Sequence, residues 1–190
     1  MGIIDTVSTI MQLPTLLKLK KGMQPRALEE RDCLGAQVET NAVQIGKSNA
    51  IIFEGSIVSW SQFNALSNQY AHSFKEKGLV AGDTVSVFME NRIEFLATII
   101  ALNKLGITAA LINTNLTGKP LSHCISVTKS KKCVVGEERL DALSKIKEGL
   151  GLDEGNDFLY VKDQGATAAP NWTSDLSQDA KGRTETNPSD

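Results

Sequence analysis

From Thr84 onwards, short β-rich segments alternate with stretches of helical periodicity, and this alternation constrains the fold more than any other feature. Strands are predicted at Thr84–Met89, Thr108–Ile112, Lys132–Val135 and Phe158–Val161. Helices are predicted between them, from the Asn91–Glu94 cap pair to Gly106, over Pro120–Val127 and over Glu137–Leu150. Successive strands joined by helices lie parallel. The pattern therefore predicts an α/β fold with an open, mainly parallel sheet and helical crossovers.

A β-hairpin and a capped helix are predicted before this sheet. The apolar runs Ala50–Phe53 and Ile57–Trp60 flank a short turn that contains Gly55, which is typical of a hairpin. Ser59 and Gln62 have the spacing of a capping box. They predict a helix that begins here and ends at Gly78.

Two further helical segments are predicted at the N-terminal end. Ile3–Leu19 has apolar residues at helical spacing, contains Pro14 and is followed by lysines. Its apolar face packs on the protein itself, or contacts a membrane surface or another subunit, and the sequence leaves these alternatives open. Arg26–Ile45 is the second predicted helix, and Gly46 is its stop signal.

The chain is predicted to divide into a helical segment at 1–48, an α/β subdomain at 49–161 and a polar linker at 162–190. Trp172 and Leu176 are the only large apolar side chains after Lys162. So few apolar residues predict a linker or a disordered segment.

Composition excludes several functional classes. The 190 residues carry a formal net charge of −2, so no general attraction to nucleic acid is expected. No segment reaches the ~18 uninterrupted apolar residues of a transmembrane helix. The three scattered cysteines are expected to be reduced thiols. The sequence predicts a cytoplasmic protein, or one at the membrane periphery through residues 3–21.

Signatures of phosphate binding are incomplete. Ile45-Gly46-Lys47-Ser48 imitates the end of a P-loop, but Asn41 occupies the position of its first glycine. A helix is also predicted before it and a strand after it, the reverse of the P-loop order. No G-x-G-x-x-G follows a strand, so the dinucleotide signature is absent.

The histidines and cysteines do not form a recognisable site either. His72 is expected on the solvated face of its helix. His123 and Cys124 with Cys133 have poor spacing for a metal, and adjacent helical residues point apart, which disfavours a Cys–His nucleophile pair. The sequence therefore assigns no catalytic, cofactor-binding or metal-binding residue.

Two charged clusters have structural explanations. Glu137-Glu138 is expected to favour the start of the following helix through the helix dipole. Lys129, Lys131 and Lys132 are expected to lie in a solvated loop rather than to bind an anionic ligand.

Four motifs occur in the order typical of one enzyme family. Ser59–Leu66 is similar to L-T/S-Y-x-E-L, with Trp60 at the aromatic position and Asn64 or Ala65 at that of the glutamate. Leu79–Val85 is similar to G-v-x-x-G-D-x-V, and Asn91–Phe95 to N-s-x-E-F. Leu102–Asn113 is similar to L-K-A-G-x-x-x-x-P-L-N, although it has Leu105 for alanine and lacks the proline.

With these motifs, the segment from Ile51 to Glu138 resembles the N-terminal part of the acyl-adenylate-forming (AMP-binding) enzymes. Its departures from the general pattern are similar to the branch that contains long-chain and very-long-chain acyl-CoA synthetases and fatty-acid transport proteins; they are Ile52–Gly55, Ala109–Leu116 and Pro120–Cys124.

The resemblance implies that the chain is an N-terminal fragment of a fatty acid–CoA ligase, an incomplete part of the larger adenylate-forming domain. For the parent enzyme it implies a fatty acid substrate, ATP, Mg²⁺ and CoA. The family's phosphate-binding loop, its later aromatic-Gly-x-Thr-Glu motif, its ribose-binding Asp, its hinge and its C-terminal catalytic Lys are absent from this sequence. The fragment is therefore expected to be inactive, to bind none of these cofactors and to self-associate through uncovered apolar surface.

Two alternatives remain at this stage. The chain could be a stand-alone α/β binding or interaction module. It could also belong to a fatty-acid uptake protein that traps the acid as its CoA ester.

Overall fold

The computed structural model describes residues 14, 19, 20, 33–165 and 167–188. The unit that begins at Cys33 is compact. Its helices are α1 (Leu34–Gln44), α2 (Trp60–Glu76), α3 (Ile93–Lys104), α4 (Gly118–Val127), α5 (Leu140–Ser144) and α6 (Leu176–Ala180). Its strands are β1 (Asn49–Phe53), β2 (Ser56–Ser59), β3 (Thr84–Phe88), β4 (Thr108–Leu111), β5 (Lys132–Gly136), β6 (Phe158–Val161) and β7 (Ser174–Asp175).

The central element is a five-stranded sheet in the order β4-β3-β5-β6-β7. All its neighbouring strands run parallel. The predicted α/β class, the parallel sheet and the helical crossovers are therefore confirmed, as are the four strands predicted from Thr84 onwards, to within a residue at their ends.

Both faces of the sheet are covered by helices. Val87, Val134 and Leu159 face one apolar cluster, to which α1, α2, α3 and α6 contribute. The alternate residues, such as Cys133 and Val135, face a second cluster, to which α4 and α5 contribute. Parallel strands that are buried on both faces have nearly continuous apolar sequences. This is why the sequence predicts β5 and β6 from their apolar runs.

The hairpin and its following helix form as predicted. Strands β1 and β2 are antiparallel, and the turn residues Glu54 and Gly55 both have positive φ, as a type I′ hairpin turn requires. The Ser59–Gln62 capping box is present at the start of α2. The placement of the first motif's glutamate at Asn64 or Ala65 stays a prediction.

The predicted helix over Glu137–Leu150 is wrong as a single element. Residues Glu137–Arg139 and Lys147–Gly149 are 3₁₀ turns, and only α5 between them is α-helical. After Ser144 the amides of Ile146, Gly149 and Leu150 each bond to the carbonyl three residues earlier, which is the 3₁₀ pattern and not the α-helical one.

Two predicted helix starts also differ. Asn91 does not cap α3, because the N-cap is Arg92 and its side chain makes no capping bond. Helix α1 begins at Leu34, with the Cys33 Sγ accepting a hydrogen bond from the Ala36 amide. The predicted helix over Ile3–Leu19, apart from Pro14 and Leu19, and residues 26–32 of the second predicted helix lie outside the described residues.

The segment after Lys162 is not the unstructured linker that its composition predicted. Strand β7 pairs with β6, and α6 buries Leu176 and Ala180 in the first apolar cluster. Trp172 packs edge-on against Phe158 at 5.3 Å between ring centroids. Few apolar residues suffice because they add to a core that already exists. The three-part domain division itself stays a prediction.

The described helices include none long and apolar enough to cross a membrane.

Because both sheet faces are covered, the apolar stripe of α3 is not bare: Leu102 is fully buried, and Phe95 and Leu105 pack against the first cluster. Self-association stays a prediction.

Helix α1 approaches α3 closely at Gly35, and an alanine there should destabilise the fold. An added Cβ would lie 2.6 Å from the Lys104 Cγ and 3.2 Å from its Cα. The Lys104 side chain is fully buried and cannot yield. We expect overpacking to lower the free energy of unfolding of Gly35→Ala by ~1–3 kcal/mol. The higher helix propensity of alanine than of glycine offsets ~1 kcal/mol of this loss. Urea denaturation measures the difference.

Gly149→Ala is the matched control, because nothing lies within 4 Å of a Cβ at that position. Its effect should stay within ~0.5 kcal/mol. A Gly35→Ala variant that is more stable than the native chain would contradict the close approach of α1 to α3.

Candidate functional site at the carboxyl edge of the sheet

The strand order creates one point at which a ligand site is expected. From β3 the chain moves outwards to β4 on one side, and then crosses back to β5 on the other. In open α/β sheets, ligands bind outside the carboxyl ends of the strands at this reversal. The candidate site is therefore the rim formed by the residues that follow Phe88 and Gly136.

Arg92 is the buried centre of this rim. Its side chain is 5% exposed. One terminal nitrogen donates to the Glu94 carboxylate at 2.8 Å and to the Lys162 carbonyl at 2.9 Å, and the other donates to the Val161 carbonyl at 3.0 Å. The planar fork of a guanidinium suits such a set of acceptors. Arg92 thereby ties the end of β6 to the start of α3.

Glu138 joins the ends of β3 and β5. Its carboxylate accepts a hydrogen bond from the Glu90 amide at 2.7 Å and lies 3.7 Å from the Arg92 guanidinium. Arg139 forms an ion pair with the Glu90 carboxylate. Two pairs of oppositely charged side chains therefore lie at the point where the strand order reverses.

Glu137 orders the loop that follows β6. Its two carboxylate oxygens accept hydrogen bonds from the Asp163 and Thr167 amides, each at 2.9 Å. The Tyr160 hydroxyl donates to the Thr167 carbonyl at 2.8 Å. Neither Glu137 nor Glu138 acts mainly through a helix dipole, as the sequence had suggested, because each is engaged by a neighbouring loop.

The pKa values of these two adjacent carboxyls are shifted in opposite directions from the usual value of 4.5. Burial alone would raise the pKa of Glu137, but the hydrogen bonds from Asp163 and Thr167 outweigh it and lower that pKa. Burial raises the pKa of Glu138, and the charge of Arg92 opposes this only in part. Because both carboxylates already accept backbone hydrogen bonds, the rim orders loops rather than presenting a free base.

A small cleft adjoins the rim between α2 and the start of α6. It has a volume of about 290 Å³, and polar residues such as Gln69, Lys162 and Ser177 line it. This is at the lower limit for a site that encloses a small molecule. Tyr70 lies at its base, where burial raises the pKa of the phenol, so this hydroxyl stays protonated. The cleft, whose lining also includes the apolar Leu66 and Ala180, offers no activated nucleophile.

The histidines and cysteines weighed in the sequence do not form a site. Burial raises the pKa of the Cys133 thiol to about 12, so this cysteine is not a nucleophile. His123 is exposed, whereas the His72 Nε2 lies 3.0 Å from the Thr186 carbonyl and is not simply solvated. Among the described residues, no group of three or more His, Cys, Asp or Glu side chains is arranged to hold a metal ion.

The lysine cluster and the P-loop-like segment are also accounted for. Lys132 is buried and pairs with Asp157 at 2.8 Å, which corrects its assignment to a solvated loop, and Lys131 pairs with Asp83 at 2.7 Å. Ile45–Ser48 is the turn between α1 and β1, so it has neither the strand before nor the helix after that a P-loop requires.

Sequence reasoning assigned Glu138 only to a helix start and did not single out the other residues of the rim, which are Glu90, Arg92 and Arg139. All four lie within four residues of a strand end. This position was a usable signal, but strand order decides which ends meet, and the sequence did not reveal strand order.

Comparison with protein families matches residues 38–190 to the model described as AMP-binding enzyme. Long-chain fatty acid transport protein 1 of Mus musculus is 36% identical over 104 residues, which cover 54% of this chain and 16% of the relative. Isopenicillin N epimerase component 1 of Hapsidospora chrysogena is 31% identical over 164 residues, which cover 83% of this chain and 27% of the relative. The chain therefore spans less than a third of the length of these two curated relatives.

Solved structures share the fold. A putative long-chain-fatty-acid CoA ligase from Rhodopseudomonas palustris superposes with a TM-score of 0.71 at 17% identity, over 86% of this chain and 39% of the ligase chain. An anthranilate CoA ligase in complex with anthranoyl-AMP superposes with a TM-score of 0.70 at 17% identity, over 80% of this chain and 28% of the other.

The opposite pKa shifts predict opposite pH dependences for two conservative variants. Glu137, with its folded pKa below 4.5, contributes stability above that pH and loses it on acidification. Glu138, with its folded pKa above 4.5, contributes most below that pH and less as the pH rises. Between about pH 3 and about pH 7, the stability of the native protein relative to Glu137→Gln should increase, and that relative to Glu138→Gln should decrease.

Urea denaturation at a series of pH values measures both differences, and each variant serves as the control for the other. Parallel pH profiles for the two variants would contradict the separate environments of these carboxyls.

Proposed function

Because this chain belongs to the AMP-binding enzyme family, we propose that it is the N-terminal part of a fatty acid–CoA ligase. The observation that carries the proposal is the family match over residues 38–190. The fold and the order of the four motifs support it. The identity to long-chain fatty acid transport proteins favours a long-chain acid as the substrate.

The proposed reaction of the whole enzyme has two steps. A carboxylate oxygen of the fatty acid attacks the α-phosphorus of ATP, the bond from that phosphorus to the bridging oxygen breaks, and pyrophosphate leaves. The sulfur of CoA, after losing its proton, then attacks the acyl carbonyl, and AMP leaves. Positioning and electrostatic stabilisation supply most of the catalysis in such reactions.

Residues 33–188 supply framework to this reaction. The rim around Arg92 fixes three loops at the sheet edge where ligands of such folds bind. Mg²⁺ neutralises phosphate charge when bound, but the described residues contain no cluster of candidate ligands. No residue of this chain is assigned to the metal or to the transferred phosphoryl group.

The experiment uses the longest protein encoded by the reading frame that contains residues 1–190. That protein is incubated with ATP, Mg²⁺, CoA and fatty acids of several chain lengths, and acyl-CoA is measured by mass spectrometry. We expect acyl-CoA that depends on every component. A frame that closes at Asp190, or a longer protein that makes no acyl-CoA from any acid, would contradict the ligase and favour the binding or interaction module.

We further propose that residues 3–21 contact an anionic membrane surface. Lys18, Lys20 and Lys21 follow the apolar stretch, and each well-placed lysine contributes ~1 kcal/mol at such a surface. Sedimentation with vesicles of mixed neutral and anionic lipid should retain the intact chain better than a chain without residues 1–22.

Changing the three lysines to glutamine is the matched control, because it leaves the apolar positions in place. This variant should lose the preference for anionic over neutral vesicles. Equal sedimentation of the intact, truncated and glutamine forms would contradict the membrane contact.

A further inference from the structure

The two core motifs meet at the buried amine of Lys104. Lys104 belongs to the motif Leu102–Asn113, whereas Asn64 belongs to the motif Ser59–Leu66 and lies in α2. The Lys104 Nζ donates to the Asn64 Oδ1 at 2.5 Å and to the Oδ1 of Asn68, one turn further along α2, at 2.7 Å. The proposed reaction does not use these contacts.

The environment of this amine is built to satisfy it. The Lys104 side chain has no exposed surface, and its Nζ also lies 3.2 Å from a carboxylate oxygen of Glu39 in α1. An ammonium group has three donors, and burying it costs several kcal/mol unless they are satisfied. Helices α1, α2 and α3 each contribute to the environment of this amine, so its position is fixed by all three.

The same cluster reaches the segment Thr184–Asn187, here called the strap. The Asn187 Oδ1 accepts hydrogen bonds from the Asn64 Nδ2 at 3.0 Å and the Asn68 Nδ2 at 2.9 Å, and it lies 3.4 Å from the Lys104 Nζ. The Asn68 Nδ2 also donates to the Glu185 carbonyl at 2.7 Å.

The strap itself buries little. All four of its residues are exposed, although Pro188 after it is buried. Its attachment to α2 therefore depends on polar contacts. Asn68 is central to them because its oxygen faces Lys104 while its nitrogen faces the strap, so Lys104 sets the orientation of the amide that holds Glu185.

We propose that Lys104 is a positioning residue whose buried amine, through Asn64 and Asn68, locks the strap across α2. Without this amine the strap detaches more readily while the α/β fold persists, although the contact of the His72 Nε2 with the Thr186 carbonyl remains. The proposal goes beyond the ligase function and does not depend on any activity of the chain.

A glutamyl endoproteinase tests the lock directly, because the bond after Glu185 contains the carbonyl that Asn68 holds. Cleavage there is compared with cleavage after Glu148, an exposed residue far along the chain, within the same molecule. For Lys104→Met we expect this ratio to rise about tenfold or more, since cleavage follows the population of the detached form. Asn187→Ala, which leaves Lys104 in place, should raise the ratio in the same direction.

Lys132→Met is the matched control, because it removes a second lysine amine that is buried among the described residues and pairs with Asp157 rather than with the strap. Its ratio should equal that of the native chain. Circular dichroism verifies that each variant is folded, and Asn187→Ala decides the question if Lys104→Met does not fold.

Three results would overturn the proposal. The first is a native ratio in folded Lys104→Met, or in Asn187→Ala if the lysine variant does not fold. The second is an equal rise in Lys132→Met, which would assign the effect to general destabilisation. The third is cleavage of the native chain after Glu185 as fast as in a free peptide of the same sequence.

Discussion

The burial of three parallel strands on both faces is the constraint on which the remaining structure depends. Strands β3, β5 and β6 consist almost entirely of buried residues. Each such apolar side chain contributes ~1.5–3 kcal/mol to the stability of the fold when it is removed from water. Helices must therefore cover both faces of the sheet for this burial to occur. The connections that deliver these helices also fix the strand order, and hence the place where the chain reverses direction.

The polar side chains around this core join segments distant in sequence. Arg92 holds the end of β6, Glu137 holds the loop after it, and Glu138 joins β3 to β5. Lys104, at the C-terminal end of α3, joins helices α1, α2 and α3 in the same way. In each case a charged or amide side chain is bonded to backbone or to another buried polar group, so its cost of desolvation is offset. The motifs that identify the family accordingly build framework in this part of the molecule.

Features with local causes could be predicted from the sequence. The Ser59–Gln62 capping box, the hairpin turn at Glu54-Gly55 and the apolar runs of β3, β5 and β6 each depend on residues within a few positions of one another. The split of the Glu137–Leu150 helix, in contrast, has no signal in the apolar spacing, because residues three positions apart also share one face of an α-helix.

Features that depend on distant partners could not be predicted. The segment after Lys162 looked too polar to fold, yet Leu176 adds to a core made by other segments, and Lys77, the C-cap of α2, pairs with Asp179 in α6 at 2.7 Å. The rim at Arg92 required the strand order, which composition and periodicity do not encode. The contact of Lys104 with Asn187 joins residues 83 positions apart, and no local sequence pattern predicts it.

We propose that this chain supplies framework to an adenylate-forming enzyme and none of its chemistry. Fatty-acid-dependent exchange of labelled pyrophosphate into ATP by purified residues 1–190 tests it most directly, because exchange reports acyl-adenylate formation without CoA. We expect no exchange above that of an enzyme-free sample at any fatty acid concentration. Exchange that requires the fatty acid and increases with the amount of chain would contradict it, and would place a catalytic site among residues to which only structural roles are assigned.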